Sequence, residues 1–365
     1  MRVAREPGGL RLDSLDQFRG YTVAGMFLVN FLGPYPASHE LLKHMKTYCS
    51  YADTIMPQFF FAVGFALRLT VLRRVDAHGS GPAHRRAVKR LLTLLAIGVL
   101  VHGLGRPAVS WAELQGLSWG EFTLRALGGE TFQALVHIAV TGLWVLPVIA
   151  RSAETRVLFL LGSALLHLGL SAWFYYDWTA HHRTIDGGVL GFLSWTIPTL
   201  AGSLAYDLVT ARGPRRALAP TLILGAGFML VGYGLSCGNA IARSGTLALV
   251  EPPFVAPSAP VDLWTMSQKT GSVSYQTFAA GFSLWVYALF VYLADVRRLN
   301  LGLFRTLGQN ALLAYILHGF VAHHVQNLAP RDAPLSWVLP CFALFFGVTW
   351  LCMAACERKG LYLKL

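Results

Sequence analysis

His44 is a side chain suited to move a proton, and Asp53, nine residues on, is a carboxylate that could serve it if the fold brings the two together, which the sequence does not show. An imidazole changes charge near neutral pH, and a carboxylate within reach raises its basicity and fixes its tautomer. Taken alone, a loop histidine such as His44 is also an ordinary solvated residue. Upstream, Arg19 and Asn30 lie eleven residues apart, close to three helical turns, which puts both on one face with Asn30 ~16 Å further along the axis. Their ordinary readings are a membrane-boundary anchor for Arg19 and interhelical hydrogen bonding for Asn30. Later in the chain Asn310, Tyr315 and His318 share one apolar stretch. His318 falls ~80° round that helix from Asn310, so both can face one interior cavity. Gln133 and His137, four apart, and His102 add polar groups near the same end; each alone reads as an interhelical hydrogen bond. The run His39-Glu40-Leu41-Leu42-Lys43-His44 imitates a zinc-protease helix, but that chemistry needs its second histidine where Lys43 stands. No metal site is expected.

The elements that must position these side chains read as membrane. The 365 residues are 55% hydrophobic and 13% charged, with mean hydropathy +0.50, outside the range of ordinary soluble domains. Apolar runs able to cross ~30 Å of hydrocarbon as helices centre on 15–32, 52–72, 90–104, 132–149, 157–175, 189–209, 218–240, 275–294, 304–325 and 336–356. The expected fold is all-α, a polytopic bundle of about ten transmembrane helices in a single domain over 1–365. Ser14 and Gln17 fit a Ser-x-x-Gln capping box opening the first helix. In lipid an ionisable side chain is expensive and functional by default.

Basic residues gather on one set of loops, which includes Arg2, Arg5 and Arg11, then Arg73, Arg74, Arg85, Arg86, Lys89 and Arg90, and at the C-terminus Arg358, Lys359 and Lys364. The other loops hold only Lys43, Lys46, Arg106, Arg125, Arg183, Arg243, Lys269 and Arg331. Cytoplasmic loops collect Lys and Arg, so a multi-pass protein of the cell inner membrane is expected, with both termini cytoplasmic and His44 facing outward. Topology and anionic headgroups account for the formal charge of +12 without nucleic acid. No cleavable signal peptide is expected. The five cysteines have neither disulfide nor metal spacing. The longest polar interruptions, 106–131 and 240–274, are both expected outside, as lids, acceptor-binding segments or plain connectors. No internal repeat is evident, which argues against transporters built from inverted halves.

One ordered set of motifs is more specific than any of these residues singly. It runs Arg11-Leu12-x-Ser14-Leu15-Asp16-x-Phe18-Arg19-Gly20, Val29-Asn30, Lys43-His44, Ala52-Asp53 and Pro57-x-Phe59-Phe60-Phe61-x-x-Gly64. It resumes with Gly308-x-Asn310-x-x-x-x-Tyr315-x-x-His318 and Arg358-Lys359-x-x-Tyr362-x-Lys364. The pattern resembles the transmembrane acyltransferases of the heparan-α-glucosaminide N-acetyltransferase type and their bacterial relatives, best over 11–64 and 304–365. Between these, only Leu193-Ser194, Ile197-Pro198 and Trp264-Thr265 agree.

The resemblance implies transfer of an acetyl group from cytosolic acetyl-CoA, a substrate and not a tightly bound cofactor, to an acceptor across the membrane, typically a sugar amine. It maps the family's catalytic histidine and asparagine onto His44 and Asn30; a slightly longer intervening loop leaves His39 as the other register. On this reading His44 deprotonates the acceptor or carries the acetyl group itself, Asn30 donates to the oxyanion, and Asp53 orients His44. Arg19, Asn310 and His318 are the candidate donor-binding residues. The implied partners are acetyl-CoA, a glycan or amino-sugar acceptor and the bilayer, with a homodimer compatible and no nucleic acid. A transporter or flippase for a small solute or lipid-linked glycan uses similar intramembrane polar groups and is the alternative. O-acylation of an envelope polysaccharide keeps the mechanism and changes the acceptor.

Overall fold

The computed structural model describes residues 12–363 except 46, 128–130, 183 and 247, and excludes the side chain of His102. The cations Arg2, Arg5, Arg11, Lys46, Arg183 and Lys364 lie outside the described residues. Among the described residues the fold is all-α, without a strand. The long helices are α1 (Asp13–Leu32), α2 (Ile55–His78), α3 (Ser80–Gly98), α4 (Ala134–Ile149), α5 (Ala153–Leu170), α6 (Phe192–Arg212), α7 (Pro214–Ser236), α8 (Val273–Phe290), α9 (Gly302–Gln309), α10 (Ala311–Gln326) and α11 (Leu335–Arg358). Wider π turns extend α3, α5 and α8 at Val99–Gly103, Ser171–Tyr175 and Val291–Val296. Each apolar stretch of the sequence is helical over most of its length. Five helical runs among the described residues are long and apolar enough to cross a membrane: Ala52–His78, Ala153–His181, Pro214–Ser244, Val273–Val296 and Leu335–Arg358.

Two local expectations fail for tertiary reasons. The ninth apolar stretch is two helices, because Asn310 leaves helical geometry at φ −132° and ψ 43°. An angle counted round one continuous helix therefore does not relate Asn310 to His318. At the start of α1 the cap position is Leu12, with no side-chain cap. Ser14 and Gln17 are buried inside the first turns, and buried polar groups must find partners. The Ser14 amide donates to Asp295 Oδ1 at 3.2 Å. The Gln17 side chain donates to the Leu299 carbonyl at 3.2 Å and accepts from the Leu301 amide at 3.0 Å. The apparent capping box is thus a clamp on the connection between α8 and α9.

Glycines set the closest helix approaches. A Cβ on Gly20 of α1 would lie 1.7 Å from the Phe304 carbonyl oxygen, and one on Gly308 of α9 would lie 1.7 Å from that of Asp16. On α2 and α6 the same reciprocity holds: a Cβ on Gly64 would sit 1.7 Å from the Thr199 oxygen, and one on Gly202 would sit 1.9 Å from the Phe61 oxygen. Small residues that let backbones touch are the usual solution for helices in lipid, where apolar burial gives little drive. Around these crossings Phe18, Phe61 and Phe65 surround Tyr287, with ring centroids 5.6, 5.4 and 5.2 Å away.

At the end of the bundle away from His44, charges lock the helices. Arg68 of α2 holds Asp207 of α6 in a two-point bridge at 3.0 and 3.1 Å and donates to the Ile149 and Arg151 carbonyls at the end of α4. Arg156 of α5, fully buried, shares the same carboxylate and donates to Ser203 Oγ at 2.7 Å. One acid between two guanidiniums ties four helices where the carbonyls of α4 would otherwise go unmet.

Candidate functional site

The connection from α1 to α2 folds around one buried carboxylate. It makes two single 3-10 turns, Glu40–Leu42 and Ala52–Thr54. His39 Nδ1 caps the first by accepting from the Leu41 amide at 3.2 Å. Ser50 Oγ donates to the Lys43 carbonyl at 2.7 Å, which draws the His44 segment across the start of α2. Asp53, with no exposed surface, collects on Oδ2 the Ser50 and Met45 amides at 2.9 and 3.2 Å, together with the Ser50 hydroxyl at 3.0 Å, whose one hydrogen is shared with the Lys43 carbonyl. Its backbone carbonyl accepts from Tyr275 OH of α8 at 2.6 Å. Oδ1 is left facing His44 Nδ1 at 3.0 Å.

His44 Nδ1 also lies 3.2 Å from Gln268 Oε1. Gln268 is oriented by its own amide, whose Nε2 donates to Asp186 Oδ1 at 2.7 Å. Two acceptors on one ring nitrogen place the hydrogen on Nδ1, so the lone pair of neutral His44 is on Nε2. The imidazole is about half exposed, at 47%, while the acid behind it is sealed. Asp186 stands at φ 56° and is followed by Gly187 and Gly188 at 82° and 60°, three consecutive left-handed residues. Trp195 Nε1 donates to the Asp186 carbonyl, Tyr175 OH to the Gly187 carbonyl, and the Gly187 amide to the Lys269 carbonyl. Backbone of this kind is held by its surroundings, and such sites cluster around function.

Burial alone would depress His44, but the hydrogen bond and charge of Asp53, the charge of Asp186 and the bond to Gln268 outweigh it, so the imidazole titrates above its ordinary value. Burial pushes the Asp186 carboxyl up to about 6. Both groups hold protons more tightly folded than unfolded, so the stability they contribute is present at acidic pH. It is lost as pH rises through about 6 for Asp186 and through the raised value of His44. An NMR titration of the His44 ring is expected to give a midpoint above 6.5, the reference value. Asp53→Asn is expected to move it downward, because that change removes the charge and leaves the burial.

A second polar pair stands on α1 and α10. His318 Nδ1 donates to the Tyr315 carbonyl, which leaves Nε2 as an acceptor, and Asn30 Nδ2 lies 3.5 Å from it. That fixes the amide of Asn30, which is exposed, with its other N–H and its oxygen uncommitted to His318. Phe27 stacks on the His318 ring at 5.5 Å. Among the described residues no hydrogen bond joins Asn30 to His44. The two pairs are related through Tyr315, whose ring is 5.5 Å from His318 and which lies within electrostatic reach of Asp186.

The remaining candidates lie elsewhere. Arg19 is half-buried toward the opposite end of α1, within electrostatic reach of Asp16 and of Arg90, which also feels Arg74. Asn310 donates to the Leu361 carbonyl at 3.0 Å and accepts from the Leu363 amide at 3.1 Å, so it holds the C-terminal segment. His137 is buried against Trp195, ring centroids 6.3 Å apart, and among the described residues neither of its nitrogens makes a hydrogen bond.

Gln268, Asp186, Ser50 and Tyr275 were not singled out by the sequence. Asp186-Gly187-Gly188 carries a recognisable tight-turn signal, whereas nothing local marks Gln268. Because Gln268 belongs to 240–274, that segment is part of the site and more than a connector. It also walls an open cleft beside the His44 loop, lined by Tyr48, Cys49, Asn239, Glu251, Thr265 and Met266 among others.

A family model described as heparan-alpha-glucosaminide N-acetyltransferase, catalytic, matches residues 11–225, more than half of the chain. No curated protein matches it.

Proposed function

The chain belongs to the heparan-α-glucosaminide N-acetyltransferase catalytic family, a membrane acetyltransferase family, and from that premise we propose that it moves an acetyl group from cytosolic acetyl-CoA to an amino sugar or glycan on the outer face. The observation that carries this reading is the Nε2 of His44, uncommitted among the described residues and backed by a buried carboxylate that Ser50 and Met45 already hold in place. Such an imidazole takes the proton of an attacking amine. The nitrogen bonds to the thioester carbonyl carbon, the tetrahedral intermediate collapses with loss of the C–S bond, and the proton passes from His44 to the coenzyme A sulfur. The same Nε2 suits acceptance of the acetyl group itself, which a burst of coenzyme A without acceptor distinguishes.

Asn30 supplies an N–H for the oxyanion, aimed by its bond to His318. Asn30→Ala is expected to lower turnover ~100-fold with little change in donor affinity, measured as separate effects on kcat and on acetyl-CoA binding. Arg19, Arg74 and Arg90, from α1, α2 and α3, give the cytosolic end a concentration of positive charge suited to the phosphates of coenzyme A. The cleft beside the His44 loop, with Glu251 in its wall, suits a sugar ammonium. A multi-pass protein of the cell inner membrane with both termini cytoplasmic places donor and acceptor on opposite sides.

The test is release of free coenzyme A by purified protein across a panel of amino sugars and glycans. Release that depends on one of them supports the reading and identifies the acceptor. Absence of acetyl-CoA binding by folded protein overturns it in favour of a transporter.

A further inference from the structure

The segment between α3 and α4 holds a feature that the site does not use. Ser110-Trp111-Ala112-Glu113 and Ser118-Trp119-Gly120-Glu121 repeat one pattern, and each opens a short helix, Trp111–Gly116 and Trp119–Leu127. In both, serine Oγ accepts from the glutamate amide at 3.2 Å, and the glutamate side chain accepts a backbone N–H from the residues ahead, at 2.9 Å from Val109 and 3.0 Å from Ser118. Both helices therefore carry a reciprocal N-terminal cap, and each places a tryptophan at its first position.

The hairpin closes on itself. The Gly105 amide donates to the Ala126 carbonyl at 2.8 Å, and Arg125 bridges Glu113 at 2.7 Å. A unit so completely bonded internally has no need to expose its apolar side chains in order to fold. Yet Trp111, Trp119 and Leu124 are 71%, 86% and 76% exposed. Its root continues a face of the same kind: Leu100 and Leu104, at the end of α3, are also exposed. Alternation of the helices puts this hairpin at the His44 end.

We propose that the hairpin is an interfacial foot, with Trp111, Trp119 and Leu124 inserted among the lipid headgroups of the leaflet at the His44 end. Continuity with the exposed apolar end of α3 selects lipid as the occupant, and amphipathic tryptophan is the side chain that settles at headgroup depth. The segment carries no excess of positive charge, with Arg106 and Arg125 against Glu113, Glu121 and Glu130. Insertion is thus driven by apolar area and is indifferent to anionic lipid. The proposal rests on the membrane reading alone and survives failure of the acetyltransferase reading.

The test uses full-length protein in phosphatidylcholine nanodiscs. The fluorescence of Trp111 and Trp119 is obtained by subtracting a Trp111→Phe/Trp119→Phe variant, in which apolar contact is kept. Brominated phosphatidylcholine is expected to quench this component about twofold, aqueous iodide to leave it nearly unchanged, and added phosphatidylglycerol to alter neither. Leu124→Asp, at an exposed position that does not threaten folding, is expected to weaken the lipid quenching and admit iodide. Quenching by iodide alone in the wild type overturns the proposal in favour of a solvent-exposed lid. Protection from both quenchers overturns it in favour of a protein contact, and quenching only with phosphatidylglycerol overturns the apolar mode.

Discussion

Substituting His44 by alanine is expected to lower acetyl transfer ~10³-fold or more, the scale of a lost general base, while the protein stays folded and still binds acetyl-CoA. Folding survives because of how Asp53 is held. Ser50 and Met45 remain on Oδ2 and Tyr275 remains on the backbone carbonyl, so removing the imidazole does not strand a buried charge. The cost is about one hydrogen bond to a charged group, ~2 kcal/mol. Donor affinity survives because the arginines proposed to attract coenzyme A lie at the other end of α1. Calorimetric acetyl-CoA binding beside coenzyme A release reads both parts, and undiminished release removes His44 from the mechanism.

Gly64→Val is expected to have the largest effect on the fold. The added Cβ would fall 1.7 Å from the Thr199 carbonyl oxygen, and a backbone atom cannot rotate away as a side chain can. Either α2 and α6 separate or one of them bends. The crossing supports the Phe60–Trp195 stack, with centroids 4.3 Å apart, and the Arg68–Asp207 bridge, both between the same two helices. Separation therefore loosens both ends at once, and a loss beyond ~3 kcal/mol follows, the upper range for overpacking. Gly202→Ala is expected to behave alike. Gly227→Ala on α7, where a Cβ meets nothing within 4 Å, is expected to be neutral or slightly stabilising. The fraction of folded protein left after heating in detergent, read by size exclusion, separates the three.

These two experiments also show which features the sequence could reveal. His44 and Asp53 are nine residues apart in one connection, so residue type marks both as candidates, but only the fold of the loop shows that the carboxylate reaches the imidazole. Gln268, 224 residues from His44, reaches it only through the packing of α8 against α2, which no periodicity encodes. Asn30 was noticed as a polar residue in an apolar helix, but its partner His318 comes from α10. Gly20, Gly64 and Gly308 belong to the motifs that carry the family resemblance, and the physical reason for glycine there is a second backbone that the sequence cannot display. Ser14 and Gln17 show the converse: a good local cap signal is overridden because the Ser14 amide and the buried Gln17 side chain bond to the α8–α9 connection. Asn310 breaks its helix without the proline that would have announced the break.

Acetyl transfer across the membrane is tested by side-resolved proteoliposomes. With acetyl-CoA confined to the face opposite His44 and the amino-sugar acceptor confined to the His44 face, acetylated product is expected on the His44 face, and His44→Ala is expected to abolish it. Product formed only when donor and acceptor share one face, or solute movement without any acetylated product, would rule out transfer across the membrane.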